Sequence, residues 1–322
     1  MYRDLKPIID AELQNIREAG LYKEEHPLQS KQGRKIKVDG KELLNFCSNN
    51  YLGLSGREEL EHASDEALKK WGFGLASVRF ICGTQEIHKD LEKRVLHHAD
   101  QIITTSFTTK REFKEITTTP ITVITNGYDV LKIDKPALDE NFSLSHIGSL
   151  LAGRNPQHLW EALAELVSED ESFAADFKLK LTGAVGEGVL NSIKRAGLEA
   201  NLELNGYVSH KEAVRLQHSS QMLLLIEIDS EETRGIIPGK LFEYLVTQRP
   251  ILAVGPENAD IQKIITETNS GKFFRYSEKQ EIKDYVLSCY RTYKEGKLIT
   301  FPIGLQKYSR KALTGELAKL LK

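Results

Sequence analysis

Along the first third of the chain, apolar residues recur at helical spacing; further on they gather into short runs between helices. Leu5, Ile8, Ile9, Leu13 and Ile16 make one stripe over residues 4–19, and Gly20 stands where a helix would close. In "KIKVDGKELLNF" two extended runs flank Asp39-Gly40, a hairpin signal because both turn residues must take positive φ. "REELEHASDEALKKW" predicts a helix ending before Gly72 and Gly74, and "EIHKDLEKRVLHH" predicts another from Glu86. Residues 99–129 read as strand, helix, strand. Ile102-Ile103 is a short apolar run, Phe113 and Ile116 share a helical face, Pro120 stops that helix, and "ITVIT" is β-branched.

Beyond residue 140 the pattern becomes regular. "FSLSHIGSLL", "FKLKLTG", "NLELNGYV", "MLLLIEI", "PILAVG" and "KFF" read as strands. Between them, "PQHLWEALAELV" has Pro156 near its start and Leu159, Leu163 and Leu166 on one face. "GVLNSIKRAG" is closed by Gly197, and "HKEAVRLQHS" and "GKLFEYLVTQ" complete the helical set before one more helix. Strands alternating with helices of this length predict βαβ units and a parallel sheet, and the unbroken "MLLLIEI" suits a central strand. The expected class is α/β, a Rossmann-like parallel sheet preceded by an incomplete α+β fragment. Ligands of such sheets sit beyond the carboxyl ends of the strands, so the loops there carry the most weight.

Composition narrows the function without choosing it. The chain has 322 residues, is 40% hydrophobic and carries a formal net charge of −2, so no basic excess points to nucleic acid. Cys47, Cys82 and Cys289 are odd in number and far apart, with no CxxC pair. "MYRDLKPIID" lacks the pattern of a signal peptide, and no apolar stretch approaches the roughly 18 residues of a membrane span. A reduced, cytoplasmic protein with no transmembrane segment is expected. His88, His97 and His98 lack a carboxylate or cysteine at ligand spacing, so no metal is expected, and the acidic "DSEE" at 229–232 reads as solvated. There is no G-x-S-x-G, P-loop or G-x-G-x-x-G string and no internal repeat.

Two resemblances, in different parts of the chain, are more specific. "LNFCSNNYLGLS" (44–55) and "GFGLASVRFICGTQEIHKDLEKR" (72–94) resemble the α-oxoamine synthases, most of all their glycine C-acetyltransferase branch, over nearly all of residues 1–93. That family condenses an amino acid with an acyl-CoA on pyridoxal phosphate (PLP). The resemblance implies that Asn49 approaches the substrate and that the loop around Arg79 lines the acyl-CoA side. PLP chemistry needs a lysine for the Schiff base and an acid at the pyridine nitrogen. In the family both lie downstream of the point where the likeness stops, so PLP is not expected to bind covalently. A glycine C-acetyltransferase fragment without its PLP lysine is one alternative for function; a fusion product with none is another.

Residues from about 100 to 322 resemble a family-4-type glycosyltransferase of the GT-B, retaining kind. Residues 99–130 match the last βαβ piece of its acceptor domain and 131–322 its nucleotide-sugar, or donor, domain, leaving 1–98 as the synthase-like fragment. The join is expected near residues 92–98, where Leu91 and Val95 keep an apolar i,i+4 pair. In "IGSLLAGRNP" the family's strand-ending glycine is Gly148, Ser149 stands in the place of an arginine and Arg154 in that of a lysine, both facing the donor diphosphate. In "LNGYVSHKE" the backbone around Val208 would meet the nucleobase edge, and His210 reads as a helix-entry residue. In "RGIIPGKLFEYLVTQRPILAVGP" Lys240 opens a helix, where a bound phosphate would offset its clash with the macrodipole, and Glu243 would hold ribose hydroxyls. Glu243 matches the second glutamate of the E-x7-E motif, and the first falls on Gly235. Leu241, Phe242 and Leu245 are assigned to the core. The resemblance implies a UDP- or GDP-sugar donor and an acceptor of unknown identity. It requires no cofactor and leaves the catalytic residues unassigned.

Overall fold

The computed structural model describes residues 2–23, 25–74, 77–78, 82–129 and 136–321. They divide into two units, Met1–Glu86 and Ile87–Lys322.

In the first unit the predicted elements form. Helix α1 spans Tyr2–Glu18, and Gly20 follows at φ +68°. Strands β1 (Lys35–Val38) and β2 (Lys41–Leu44) pair antiparallel through Asp39 and Gly40, whose φ values of +48° and +76° are those of a type I′ turn. Helix α2 (Glu58–Trp71) ends on Gly72, whose N–H bonds the Leu68 carbonyl. What does not form among the described residues is a core. Among the described residues of this unit no hydrophobic side chain is buried, and Phe46, Tyr51, Leu52 and Phe73 are 81–93% exposed. Amphipathic spacing settles which side of a helix is apolar; burying that side needs an opposing surface.

The second unit begins within α3 (Glu86–His98), which runs unbroken across residues 92–98. Leu91 and Val95 are both exposed, so this apolar pair packs into no core. Next come β3 (Ile102–Thr104), α4 (Phe107–Ile116) and β4 (Ile121–Val123), with β3 and β4 parallel as a βαβ piece requires. Ser106 caps α4, and the Asp260 carboxylate accepts from the N–H groups of Phe107 and Thr108 at 2.6 and 3.0 Å.

Six parallel strands follow: β5 (Phe142–Ile147), β6 (Phe177–Thr182), β7 (Leu202–Gly206), β8 (Met222–Ile226), β9 (Ile251–Gly255) and β10 (Gly271–Arg275). The helices between them are α5 (Gln157–Glu169), α6 (Glu171–Asp176), α7 (Glu187–Arg195), α8 (His210–Ser219), α9 (Gly239–Leu245) and α10 (Asp260–Thr268). Helices α11 (Lys279–Lys294) and α12 (Arg310–Leu320) end the chain. The order across the sheet is β10-β9-β8-β5-β6-β7. This is the doubly wound arrangement, and its direction reverses between β5 and β8. Successive residues of the central strands serve opposite faces. Leu224, Ile226, Leu252 and Val254 join Trp160 and Leu163 on one side; Leu223, Leu225, Ile251 and Ala253 join Leu241, Phe242 and Leu245 on the other. The sheet is therefore covered on both faces, as the apolar run in β8 requires. Three boundaries differ from the sequence reading: β5 stops at Ile147, short of the expected run to Leu151, and two further elements are shorter than read. Strand β7 stops at Gly206, short of Val208, and α9 stops at Leu245, with Gln248 at φ +61° turning the chain into β9.

Candidate functional site

The carboxyl ends of β5 and β8 meet where the strand order reverses, and here the structure gathers charged side chains. Gly148 follows β5 at φ +126°, a conformation that favours glycine. A Cβ on it would stand 3.2 Å from Nζ of Lys240, so the missing side chain also makes room for the lysine. The Lys240 ammonium donates to Nε2 of His146 at 3.2 Å and to the Ile147 carbonyl at 3.4 Å. His146 is fully buried, with Nδ1 3.1 Å from the Leu224 carbonyl. Burial, and then the neighbouring Lys240 charge, push its pKa down to about 3. The ring is thus neutral with its proton on Nδ1, which leaves Nε2 free to accept from Lys240.

Glu227, just past β8, is the carboxylate of this cluster. Its side chain is 2% exposed, and Arg154 approaches it at 3.4 Å. Burial raises the Glu227 pKa against the opposing pull of Arg154 and Lys240. The Tyr276 hydroxyl donates to the Glu227 backbone carbonyl at 2.7 Å. Lys240 is half-buried, and desolvation, partly offset by Glu227, lowers its pKa to about 8. An incoming anion would stabilise this ammonium, because its charge is poorly compensated and the surrounding dielectric is low.

Lys240, Gly148 and Arg154 therefore converge, with the Ser149 backbone also against His146, whereas Glu243 and Val208 lie apart from that cluster. Ser149 is exposed just beyond it. Glu243 faces α8, with one carboxylate oxygen 3.1 Å from Nε2 of His210 and the other taking the Gln217 amide at 2.7 Å. It lines a cavity of about 350 Å3 together with His210, Gln217, Tyr128 and Arg310. Val208 is half-buried in the loop before His210. At Gly235 a Cβ would meet Oγ of Ser106 at 3.0 Å and Cβ of Thr108 at 3.4 Å, so a glutamate there would collide with the start of α4. His146 and Glu227 are the members that the sequence reading did not name.

In the first unit Asn49 is exposed and accepts a hydrogen bond from the Tyr51 hydroxyl at 3.2 Å. Arg79 lies outside the described residues. Each lysine described between residues 6 and 93 is exposed, so none of these is enclosed as a PLP lysine must be. Among the described residues no group of three His, Cys, Asp or Glu side chains is placed to hold a metal, and no helix is long and apolar enough to cross a membrane.

The doubly wound sheet with its charged site at the reversal point gives the second unit the fold of the GT-B glycosyltransferases. The chain joins it to a segment similar to the α-oxoamine synthases. No family model matches the chain. Human mitochondrial 2-amino-3-ketobutyrate coenzyme A ligase is 53% identical over 93 residues, 28% of this chain and 22% of that enzyme. An 8-amino-7-oxononanoate synthase of Fervidobacterium nodosum is 46% identical over 86 residues, 27% of this chain and 22% of its own length. The chain thus spans about a fifth of the curated relatives it matches. Among solved structures, a Burkholderia vietnamiensis α,α-trehalose-phosphate synthase (UDP-forming) superposes with a TM-score of 0.52 at 10% identity, over 73% of this chain and 61% of that one. Sucrose-phosphate synthase of Thermosynechococcus elongatus gives 0.51 at 15% identity, over 77% of this chain and 63% of its own. The lipopolysaccharide outer core galactosyltransferase WaaB gives 0.51 at 14% identity, over 73% and 65%.

Proposed function

We propose that the second unit binds a nucleoside-diphosphate sugar, a UDP- or GDP-sugar, with the diphosphate against Lys240 and Arg154 at the carboxyl ends of β5 and β8. The observation that carries this is the Lys240 ammonium, held beside Gly148 by a neutral histidine and lacking a full counter-charge. Glu243 and the backbone around Val208 are assigned to the nucleoside. A diphosphate would make charge-assisted hydrogen bonds with both cations and draw Arg154 from its long contact with Glu227. One structural neighbour is named a galactosyltransferase and another a UDP-forming trehalose-phosphate synthase, which supports this class of donor.

Transfer is a separate matter. Positioning an acceptor and taking its proton belong to the acceptor domain of such enzymes, and here only residues 99–130 correspond to it. The chain alone is therefore assigned donor binding, with slow hydrolysis of the sugar as its expected turnover. Calorimetric titration with UDP and GDP tests the binding. Lys240→Ala should weaken it by about 1.5–3 kcal/mol, the worth of a hydrogen bond to a charged group. Equal affinity in the variant would remove Lys240 from the site. Robust transfer to a mixed acceptor panel would overturn the assignment of binding alone.

The identity of 53% over 93 residues favours a second reading, an acyltransferase remnant that acts when the rest of such an enzyme is supplied. Incubation of this chain with PLP, borohydride reduction and peptide mapping checks it. One stoichiometric lysine adduct would support that reading, and its absence is the expected result.

A further inference from the structure

Away from the nucleotide site, a groove of about 1050 Å3 runs between α4 with β4 and α10. Four cations line it: Lys110, Arg111 and Lys114 from α4, and Lys263 from α10. Two carboxylates line it as well, but both are committed to the protein. Asp260 caps α4 and takes the Thr108 hydroxyl at 2.9 Å. Glu267 accepts from Lys307 at 2.9 Å and from the Tyr308 hydroxyl. Among the described residues none of the four cations forms a salt bridge. Arg111 donates to the Thr108 hydroxyl at 2.9 Å, and Lys263 stands 3.8 Å over the Phe107 ring. Lys110 and Lys114 are four residues apart on one helix side, where like charges repel. Lys263 also feels the Glu267 carboxylate, which leaves the three cations of α4 as the unpaired charge of the groove, and a surface that concentrates such charge in a concave space attracts anions.

We propose that this groove binds an anionic glycan, a sugar chain bearing phosphate, sulfate or carboxylate groups in series. Its volume exceeds what one phosphate fills, and four cations along one groove match a repeating anion. Thr122, Gln262 and Thr266 add neutral hydroxyl and amide groups suited to sugar hydroxyls. Single-stranded nucleic acid fits less well, because it needs open aromatic faces for stacking. Phe107 is the aromatic residue lining this groove, and Lys263 covers its ring. The groove adjoins the loop that leads to Lys240: the Asp260 N–H bonds the Arg234 carbonyl at 2.8 Å, and Gly235 packs on Ser106 and Thr108. Its residues are separate from those assigned to the nucleotide, so either assignment can fail without the other.

The test is fluorescence anisotropy of the full chain with a labelled sulfated hexasaccharide, a neutral hexasaccharide and a single-stranded DNA decamer. The sulfated sugar should bind, and its affinity should fall on the order of a hundredfold between 50 and 200 mM salt if all four cations release counterions. In the Arg111→Ala/Lys114→Ala variant that loss should shrink to about tenfold, as two fewer ions are released. Both side chains are exposed, so the fold should persist, and UDP titration should be unchanged. No binding of the sulfated sugar, an unaltered salt slope in the variant, or DNA binding as tight as the sugar would each overturn the proposal.

Discussion

The two units began from sequence patterns of similar clarity and ended differently. Helix α1 and helix α5 each carry an apolar stripe. In α5 that stripe is buried, with Leu159, Trp160, Leu163 and Leu166 at 0–2% exposure, whereas Ile9 and Leu13 of α1 are 48% and 39% exposed. The difference lies in what surrounds each helix. Strands β5 to β10 form a sheet whose two faces are both roofed by their own crossover helices. Among its described residues the first unit has one two-stranded hairpin, too little sheet to be independently stable, and the curated relatives it resembles are matched over about a fifth of their length. Periodicity is a statement about one element; stability comes from the element that answers it.

That contrast makes limited proteolysis the experiment with the largest expected effect. Brief digestion should remove the first unit and leave a resistant core starting between about residues 95 and 135, because segments with few buried contacts open first. Cleavage inside β5 to β10 at the same rate would erase the distinction. Core truncations sharpen it. Trp160→Ala should cost about 3–5 kcal/mol in denaturant unfolding, the usual price of deleting a buried aromatic ring. Phe46→Ala and Phe73→Ala should stay within about 0.5 kcal/mol, as exposed substitutions do. A smaller effect is expected at the site. His146→Leu removes the acceptor that holds Lys240 and should weaken UDP or GDP binding by about 0.5–1.5 kcal/mol.

The smallest effect is in pH, and it has two opposed signs. Lys240 titrates near 8 in the folded chain against an ordinary 10.5. Between those values the unfolded chain holds more protons, so the lysine's contribution to stability rises with pH across that window. Nucleotide binding should move the other way, declining as pH rises through about 8 and the ammonium is lost. Calorimetry at pH 7 and pH 9 reads the second trend, and tighter binding at pH 9 would contradict the role given to Lys240.

Most of the second unit was legible because its signals are local. Alternating strands and helices, Gly148 at a strand end and "PGKLFEYL" ahead of β9 each state their role within a few residues. The site was legible only in part. Arg154 stood in a loop after a strand and Lys240 in the first turn of a helix opened by a Gly/Pro loop, where ligands of such sheets are expected. His146 sits inside β5 and Glu227 closes an apolar run, so neither looked like a loop residue, and only the pairing of β5 with β8 brings them together. The occupancy of Glu243 by His210 and Gln217 was hidden for the same reason, since α8 and α9 are brought side by side by tertiary packing. In the first unit the elements were legible and their exposure was not.

The donor binding proposed for the second unit, and its contrast with the first, where no described hydrophobic side chain is buried, can be read from the two tryptophans, one in each unit. Trp160 is fully buried on α5, and Trp71 ends α2. In a Trp71→Phe chain the fluorescence melt reports Trp160 alone. Millimolar UDP or GDP should move that melt to higher temperature, since a ligand that binds the folded state stabilises it in proportion to the logarithm of its concentration over Kd. The wild-type chain should show the same shift in the Trp160 transition, with the Trp71 signal lost earlier and unmoved by nucleotide. A Trp160 melt that neither nucleotide displaces would contradict the account.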